Sequence, residues 1–265
     1  MSQSIDLQRD GKVAVITIDR PEKMNSLDFE ANDELSEIWQ QVAEDASINA
    51  VLITGAGDQS FCAGADLKTY TMAYATTPAP EFRTRFTDGP GFGGITRNLH
   101  FNKPIVAAIN GYAISGGLEL ALACDIRFCS EQAEFALQDV GWGFHACDGG
   151  LIRLKEIVGH GNAMEIILSG DRFSAEHALR IGLVNKIIKQ DNLFEESLAY
   201  ATHLASRAPL AQQFAKDVMH RAHGLTMDEA LKLESMSFYD LGSTEDLVEG
   251  TTAFKEKRSA LFKGK

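Results

Sequence analysis

Two short segments of the sequence combine small residues with a position between a strand-like run and a helix-prone run. Residues 60–67 read SFCAGADL, and residues 110–120 read NGYAISGGLEL. A junction of this kind exposes backbone N–H groups at the start of a helix, where a developing negative charge is stabilised. For either junction alone, the simpler interpretation is that glycine lets the chain turn. Neither segment contains a Walker phosphate loop or a GxGxxG pattern, so neither indicates nucleotide binding by those routes.

A second group of reactive residue types lies at His145, Cys147 and Asp148. A cysteine near a histidine could act as a nucleophile with its base, and all three residues are possible metal ligands. Residues i and i+2 point apart on a helix, and on a strand they lie about 7 Å apart. Both arrangements disfavour a Cys147–His145 hydrogen bond. No second ligand cluster is evident, so we expect neither a nucleophilic cysteine nor a metal site.

The composition is that of an ordinary globular protein of 265 residues, with 45% apolar and 23% charged residues. Lys and Arg number 25 against 37 Asp and Glu, which gives a net charge of -12. This excess of negative charge disfavours nucleic acid and anionic lipid as partners, because both require a surplus of cations. A few local lysines could still hold a small anionic ligand.

The four cysteines show no CxxC pairing and are too few for a disulfide scaffold, which indicates free thiols in a reducing compartment. The first residues show no basic region followed by an apolar stretch, and no apolar run approaches the ~20 residues that span a bilayer. We therefore expect a cytoplasmic protein without a membrane segment.

Short β-branched runs alternate with helix-prone stretches through the first two thirds of the chain, which predicts an α/β fold. Strands are predicted at residues 12–18, 50–54, 104–110 and 126–129. A helix is predicted from Ser26, its candidate cap, with one apolar stripe formed by Leu35, Ile38, Trp39 and Val42.

Two other regions have a different character. Residues 71–94, with three prolines and several glycines, are predicted to form a long surface loop or lid. Beyond Asp171 the pattern becomes mostly helical, with helices predicted at residues 194–206, 210–223 and 227–239. We place a boundary near Ala208, which divides the chain into residues 1–207 and 208–265.

Five segments in order resemble the crotonase (enoyl-CoA hydratase/isomerase) superfamily, whose members bind acyl-CoA thioesters. They are Arg20-Pro21 with Asn25-Ser26-Leu27, residues 61–67, residues 110–120, residues 173–185, and residues 249–262. The resemblance implies a crotonase-type spiral of repeated ββα units in residues 1–207. It also implies a helical C-terminal module in residues 208–265 that drives trimerisation, and two trimers commonly stack as a hexamer.

The same resemblance assigns roles to individual residues. It makes the N–H groups of Ala65 and Gly116 the oxyanion hole, and Glu119 one of two catalytic carboxylates. The second matches Asp139, where family hydratases carry Glu. Asp reaches roughly 1–1.5 Å less far, so the backbone moves in, a water bridges, or the chemistry has changed. The alternative is a vestigial surface Asp139, just as Glu119 could be only a favourable first-turn residue.

The resemblance also implies that the CoA moiety is held near Lys23 and residues 63–67. We expect Ala63, Asp66 and Leu67 to contribute there, with Lys68 and Lys257 as further candidates near the phosphates. Cys147 would lie close to the acyl group, and Trp142 could line the acyl pocket, although core packing explains an aromatic residue equally well. No metal or redox cofactor is expected, because CoA is part of the substrate.

We therefore predict an enzyme that adds or removes water across the α,β double bond of an acyl-CoA. Residues 91–96, 134–137 and Gly149-Gly150 are most similar to carnitinyl-CoA dehydratase-like members, which would predict a crotonobetainyl-like substrate. Two alternatives stay open. One is an enoyl-CoA isomerase or thioester hydrolase that uses a single carboxylate, and the other is a non-catalytic acyl-CoA-binding protein.

Overall fold

The computed structural model describes residues 4–98 and 100–265. Ten strands form two sheets within these ranges. They are β1 (Ile5–Asp10), β2 (Val13–Ile18), β3 (Ala50–Gly55), β4 (Ser60–Cys62), β5 (Ile105–Ile109), β6 (Tyr112–Ile114), β7 (Ile126–Ser130), β8 (Glu134–Ala136), β9 (Phe173–Ser174) and β10 (Lys186–Ile188). The larger sheet has the order β1-β2-β3-β5-β7-β10, and the smaller has the order β4-β6-β8-β9. Strands pair in parallel except for β1 with β2 and β8 with β9.

Ten α-helices connect and cover these sheets in the described part of the chain. They are α1 (Phe29–Glu44), α2 (Leu67–Thr76), α3 (Ala79–Phe82), α4 (Gly116–Ala123), α5 (Gly150–Ser169), α6 (Ala175–Arg180), α7 (Leu193–Ala205), α8 (Pro209–Arg221), α9 (Met227–Leu241) and α10 (Glu245–Glu256). None of the described helices has the length and apolar character required to cross a membrane.

Strand β3 shows why the larger sheet is the centre of the fold. All six of its residues are buried, as expected for a parallel sheet that is covered on both faces. Val51 and Ile53 join the apolar cluster that includes the buried stripe of α1, while Ala50 and Leu52 join the cluster beneath α7. Because successive side chains of a strand point to opposite faces of the sheet, β3 contributes to both apolar clusters.

The predicted strands are confirmed, and the helix after residue 26 is present with its predicted apolar stripe buried. The candidate cap was wrong, because the Asp28 side chain rather than Ser26 accepts a hydrogen bond from Ala31 N, at 3.0 Å. Strand β1 was not anticipated from the sequence; it pairs with β2 across a turn at Gly11.

Residues 71–94 are not the long loop that we predicted. Helix α2 continues to Thr76, α3 follows, and a π-helical turn at Arg83–Thr87 completes a mostly helical segment. The Asp66 side chain caps α2 by accepting from Lys68 N, at 3.0 Å. Pro80 lies in the first turn of α3, where a missing N–H has no cost. Pro78 and Pro80 therefore mark a helix start rather than a loop.

The three predicted C-terminal helices are confirmed as α7, α8 and α9, whereas α5 and α10 were not anticipated. Helix α8 is attached to the core through Lys216, whose Nζ donates to Lys103 O at 2.9 Å and to Asp125 Oδ2 at 2.8 Å. The predicted boundary near Ala208 falls between α7, which packs on the sheet, and α8. The division into two domains stays a prediction.

Candidate active site

The turns that follow β4 and β6 lie side by side because these strands are parallel neighbours in the smaller sheet. A Cβ at Gly64 would lie 3.0 Å from Gly116 N, which shows how closely the two turns approach. Leu27 donates to Gly64 O at 2.9 Å and accepts from Asp66 N at 2.8 Å. Leu27 thus pairs in parallel with this turn through Gly64 and Asp66, the two neighbours of Ala65. The Ala65 N–H therefore faces away from Leu27.

The second turn is held by close backbone contacts that require glycine. A Cβ at Gly117 would lie 1.8 Å from Cys62 O, and one at Gly116 would lie 2.9 Å from the Phe92 ring. Ser115, just before them, has a φ of 49° and a ψ of -117°, a strained conformation for a residue with a side chain. Gly116 opens α4, so its N–H has no acceptor within the helix. Among the described residues, neither the Ala65 N–H nor the Gly116 N–H has an acceptor.

Glu119 lies in the first turn of α4 and is only 4% exposed. Its Oε1 accepts hydrogen bonds from Asp148 N at 2.6 Å and Gly150 N at 2.8 Å. Burial, followed by the charge of Asp148, raises the pKa of Glu119 to about 8, although the two backbone hydrogen bonds lower it. Glu119 therefore carries a proton over much of the neutral range, as a general acid requires.

Asp139 lies in a short 3₁₀ turn at Gln138–Trp142 and is 6% exposed, so the alternative of a surface Asp139 is wrong. Burial raises its pKa, against smaller lowering contributions from the Ser115 side chain, its own backbone and His145. Its Oδ2 has no hydrogen-bond partner among the described residues. A buried carboxylate oxygen in this state is suited to a water or a substrate. Asp139 also raises the pKa of Glu119, which indicates that the two carboxyls interact.

The residues of the 145–148 turn do not form a nucleophile. His145 Nδ1 lies 2.9 Å from Ala146 O, and Cys147 Sγ donates to Asp148 Oδ2 at 3.5 Å. Loss of water around the sulfur, with the charges of Asp148 and Glu119, raises the pKa of Cys147 to about 12. The Cys147 thiol therefore carries its proton and is a poor nucleophile. In the described ranges, no three His, Cys, Asp or Glu residues are grouped to hold a metal ion.

The structure brings together the residues predicted to hold CoA at the N-terminal part of α2. Ala63 N donates to Met24 O at 3.0 Å, which places this turn beside the segment that carries Lys23. The Lys23 Nζ lies 3.7 Å from Asp28 Oδ2. Asp66 is used as the cap of α2, while Leu67 and Lys68 are exposed in its first turn.

Lys257 ends α10, and its described hydrogen bond is to Phe254 O, inside the C-terminal module. Trp142 is 65% exposed, so it does not pack in the core. It lies at the end of the turn that carries Asp139, and the Phe144 ring beyond it lies 6.2 Å from the Tyr74 ring. The Phe144 ring thus connects the segment after Asp139 to α2. A groove of about 510 Å³ between Phe29 and residues 73–85 contains none of the predicted site residues.

Three charged residues lie around Glu119, of which Arg97 and Arg153 were not anticipated from the sequence and Asp148 was considered only as a metal ligand. Asp148, Arg97 and Arg153 form a connected group in which Arg97 Nε lies 3.1 Å from Asp148 Oδ1 and Arg153 donates to Asp148 O at 3.4 Å. Arg97 and Asp148 are far apart in the sequence, so their pairing had no local signal. An acidic residue directly before Gly149-Gly150 was the one available indication.

Comparison with known proteins identifies the family. A family model described as "Enoyl-CoA hydratase/isomerase" matches residues 8–265. Carnitinyl-CoA dehydratase from Proteus mirabilis (strain HI4320) is 38% identical over 269 residues, covering 100% of both chains. Short-chain-enoyl-CoA hydratase from Clostridium acetobutylicum is 37% identical over 260 residues, covering 96% of this chain and 95% of that protein.

Solved structures agree with these sequence matches. The enoyl-CoA hydratase from Bacillus anthracis superposes with a TM-score of 0.88 at 33% identity, covering 99% of this chain and 100% of that one. The enoyl-CoA hydratase from Mycobacterium tuberculosis H37Rv gives a TM-score of 0.89 at 30% identity, with 100% of both chains covered. The predicted crotonase-type α/β fold is confirmed. This chain belongs to the enoyl-CoA hydratase/isomerase family.

Proposed function

We propose that this protein adds or removes water across the α,β double bond of an acyl-CoA thioester. The observation that carries the proposal is the pair of buried carboxyls, Glu119 and Asp139, of which Asp139 Oδ2 has no partner in the described structure. The two free amides of Ala65 and Gly116 lie on neighbouring turns of the same small sheet. Together these groups offer proton transfer and anion stabilisation without a metal or redox cofactor.

In the proposed reaction, the thioester oxygen accepts hydrogen bonds from the Ala65 and Gly116 amides. Attack of water at Cβ moves the π electrons toward this oxygen, and two fixed donors stabilise the resulting enolate. Loss of one such donor typically costs about 10²–10³-fold in rate.

The two carboxyls divide the proton transfers. Glu119 has a pKa of about 8 and therefore holds a proton at neutral pH, which it delivers to Cα. Asp139, in its ionised form, takes a proton from the attacking water, and the hydroxyl forms the new bond at Cβ. Because the Asp side chain is shorter than Glu, we propose that a water bridges its unpartnered oxygen to the substrate. Dehydration runs through the same atoms in reverse.

The direct test is mass-spectrometric turnover of an enoyl-CoA panel that includes crotonyl-CoA and crotonobetainyl-CoA. Gain of one water on any member, slowed about 10²-fold in Asp139→Asn, supports hydration with two carboxyls. Release of free CoA would instead identify a hydrolase. A moved double bond without mass change would identify an isomerase, and tight binding without any turnover would identify a binding protein.

The acyl group is proposed to be short and cationic, on the basis of the similarity to proteins named carnitinyl-CoA dehydratase. The exposed aromatic residues Trp142 and Phe144 beside buried carboxyls are consistent with this, because ring faces and negative charge both attract an ammonium group. The ratio of kcat/KM for crotonobetainyl-CoA and crotonyl-CoA tests it. A preference for crotonyl-CoA would contradict the cationic substrate and leave hydration intact.

The CoA phosphates are proposed to contact Lys23, Lys68 and Lys257, with Ala63, Asp66 and Leu67 beside the adenine-ribose end. Both Lys23 and Lys68 flank the turn at residues 63–66, which supports a shared role. If this is correct, Lys68→Ala raises KM for CoA esters without lowering kcat, whereas the surface control Lys232→Ala leaves both unchanged. Lys232 pairs with Asp228 within α9.

We propose that the protein assembles as a homotrimer, or as a hexamer of two trimers, through residues 208–265. No residue of α9 is buried in the single chain, and large apolar side chains such as Phe238, Tyr239 and Phe254 are at least 75% exposed. Apolar patches of this kind mark protein interfaces. Light scattering of wild type against Phe238→Asp tests the assembly, and a monomeric wild type would contradict it.

A cytoplasmic location is proposed because none of the four cysteines forms a disulfide.

A further inference from the structure

Asp148 is a buried carboxylate that the proposed reaction does not use. Its Oδ1 accepts hydrogen bonds from Phe92 N at 3.3 Å, Thr96 Oγ1 at 3.2 Å and Arg97 Nε at 3.1 Å. Its Oδ2 accepts the Cys147 thiol at 3.5 Å. Both oxygens are thus occupied by protein groups. The side chain connects the turn before α5 to residues 92–97.

The backbone of the same residue holds Glu119. Asp148 N donates to Glu119 Oε1 at 2.6 Å, beside the Gly150 N–H at 2.8 Å. Two arginines add hydrogen bonds between this part of the chain and residues 92–97. Arg97 donates to Cys147 O at 2.5 Å, and Arg153 donates to Thr96 O at 2.6 Å. A shift of this turn would therefore move the Asp148 and Gly150 donors away from the Glu119 carboxyl.

Phe92, at the other end of this connection, contacts the amide-bearing turn. Its ring lies so close to Gly116 that a Cβ there would be 2.9 Å from the ring. The adjoining Gly93 is fixed to α1, because its N–H donates to Asn32 Oδ1 at 2.7 Å and its carbonyl accepts from Trp39 Nε1 at 2.8 Å. The Asp148 side chain therefore connects two segments. One is the turn whose N–H groups donate to Glu119, and the other contains Phe92, which packs on Gly116.

We propose that Asp148 is a positioning residue, which holds the Glu119 carboxyl and the Gly116 amide in fixed relation by tying the 147–150 turn to residues 92–97. This inference rests on the proposed hydration reaction. It predicts that Asp148 acts on kcat through geometry, because a misplacement of ~1 Å at a reacting group costs about 10²-fold in rate.

The charge of Asp148 has a separate, measurable effect on Glu119. Its negative charge favours the protonated form of Glu119 and so helps to raise the pKa of that carboxyl. The charged or titratable groups that interact with Glu119 from the surrounding elements are Asp139, Cys147, Asp148, Arg153 and Tyr74. Neutralising Asp148 alone should therefore move the Glu119 titration toward acid.

The experiment compares Asp148→Ala and Asp148→Asn with the matched control Asp125→Asn. Asp125 also accepts from a backbone N–H and a lysine, Ile105 N at 2.7 Å and Lys216 Nζ at 2.8 Å, but it is not part of the site. The readouts are kcat and KM on the best enoyl-CoA and the ¹³C titration of Glu119, assigned with Glu119→Gln. The titration does not depend on turnover.

We expect Asp148→Ala to lower kcat by about 10²-fold with KM nearly unchanged, and Asp148→Asn to restore most of kcat because an amide oxygen still accepts from Arg97. Asp148→Asn should shift the Glu119 titration, and Asp125→Asn should not. If Asp148→Ala fails to fold, Arg97→Gln tests the same connection and should lower kcat.

A purely structural Asp148 would lower the melting temperature in Asp148→Ala, as we expect for Asp125→Asn, while leaving kcat unchanged, and this result would overturn the inference. If wild type hydrates no ester, the proposed function fails. The Gly150 amide, which donates to Glu119 Oε1, then reports on position without turnover. An unchanged Gly150 amide chemical shift in Asp148→Ala would refute the positioning role, and a changed one would support it.

Discussion

Glu119 and Asp139 lie in two parts of the site that are built differently. Glu119 is held by two backbone N–H donors, and the surrounding turns meet at distances that only glycine permits. Asp139 lies in a short 3₁₀ turn that continues into the exposed residues Trp142 and Phe144, and its Oδ2 has no described partner. One half of the site is fixed by the protein, and the other leaves an atom for a ligand.

This difference indicates a division of roles. A carboxyl with both orientation and protonation set by the protein is suited to deliver a proton at a defined place. A carboxyl with a free buried oxygen is suited to bind and deprotonate a mobile water. Changes in the fixed half should therefore alter rate or stability strongly, whereas the open half should tolerate changes in shape but not in charge.

The largest expected effect is that of Glu119→Gln. The amide can still accept from Asp148 N and Gly150 N, so the fold should persist, but proton delivery is lost. Loss of a general acid typically costs about 10²–10⁴-fold, and we expect kcat near the upper end with ester affinity retained. Steady-state kinetics and calorimetric binding check this. A variant with nearly full activity would show that hydration does not use Glu119.

Asp139→Asn should cost about 10²-fold in kcat, because the amide cannot take a proton from water. Asp139→Glu is the informative companion. If a water bridges the short side chain, the longer carboxylate displaces that water and activity stays within about tenfold of wild type. Activity equal to Asp139→Asn would show that the turn does not accommodate the added methylene.

The pH dependence separates the two halves. Glu119 acts as an acid with a pKa of about 8, so kcat/KM should fall about tenfold per unit above that pH. The same group makes the protein less stable as pH rises from about 4.5 to about 8, because the folded state binds more protons than the unfolded state there. Thermal denaturation across this range checks the second effect, and Glu119→Gln should remove both.

Two glycine substitutions compare the packing of the halves. Gly117→Ala places a Cβ 1.8 Å from Cys62 O in the fixed half, and overpacking of this kind typically costs about 1–3 kcal/mol. Gly141→Ala, in the Asp139 turn, meets nothing within 4 Å, so we expect it to change stability by less than about 0.5 kcal/mol. Chemical denaturation of both variants measures the difference. Equal losses would contradict the distinction between fixed and open halves.

The sequence predicted those parts of the fold that depend on local pattern. The β-branched runs at β2, β3, β5 and β7 and the stripe of α1 all have short-range periodicity, and each was found. The segment after Asp66 was misassigned because its prolines and glycines are common to loops and to helix starts. Helix α5 was missed, since its apolar residues follow a pattern interrupted at Gly159.

The candidate site was predictable where a motif is contiguous and unpredictable where it is not. Ala65, Gly116 and Glu119 lie within two continuous segments, and family resemblance located them. The Arg97–Asp148 pair joins residues from distant parts of the chain, and only the fold brings them together. The burial of Asp139 likewise depends on packing, because the residues after it are exposed and the local sequence alone fits a surface turn.

The two free amides of the Ala65 and Gly116 turns belong to the backbone, so no single side-chain replacement removes them. The proposed acid–base chemistry, in contrast, depends on two replaceable side chains. If the proposal is correct, a chain built this way exchanges one reaction for another by changing its carboxyls while it keeps the two amides. In protein engineering, positions 119 and 139 are therefore where reaction type can be altered, and the glycine-bearing turns are the scaffold to preserve.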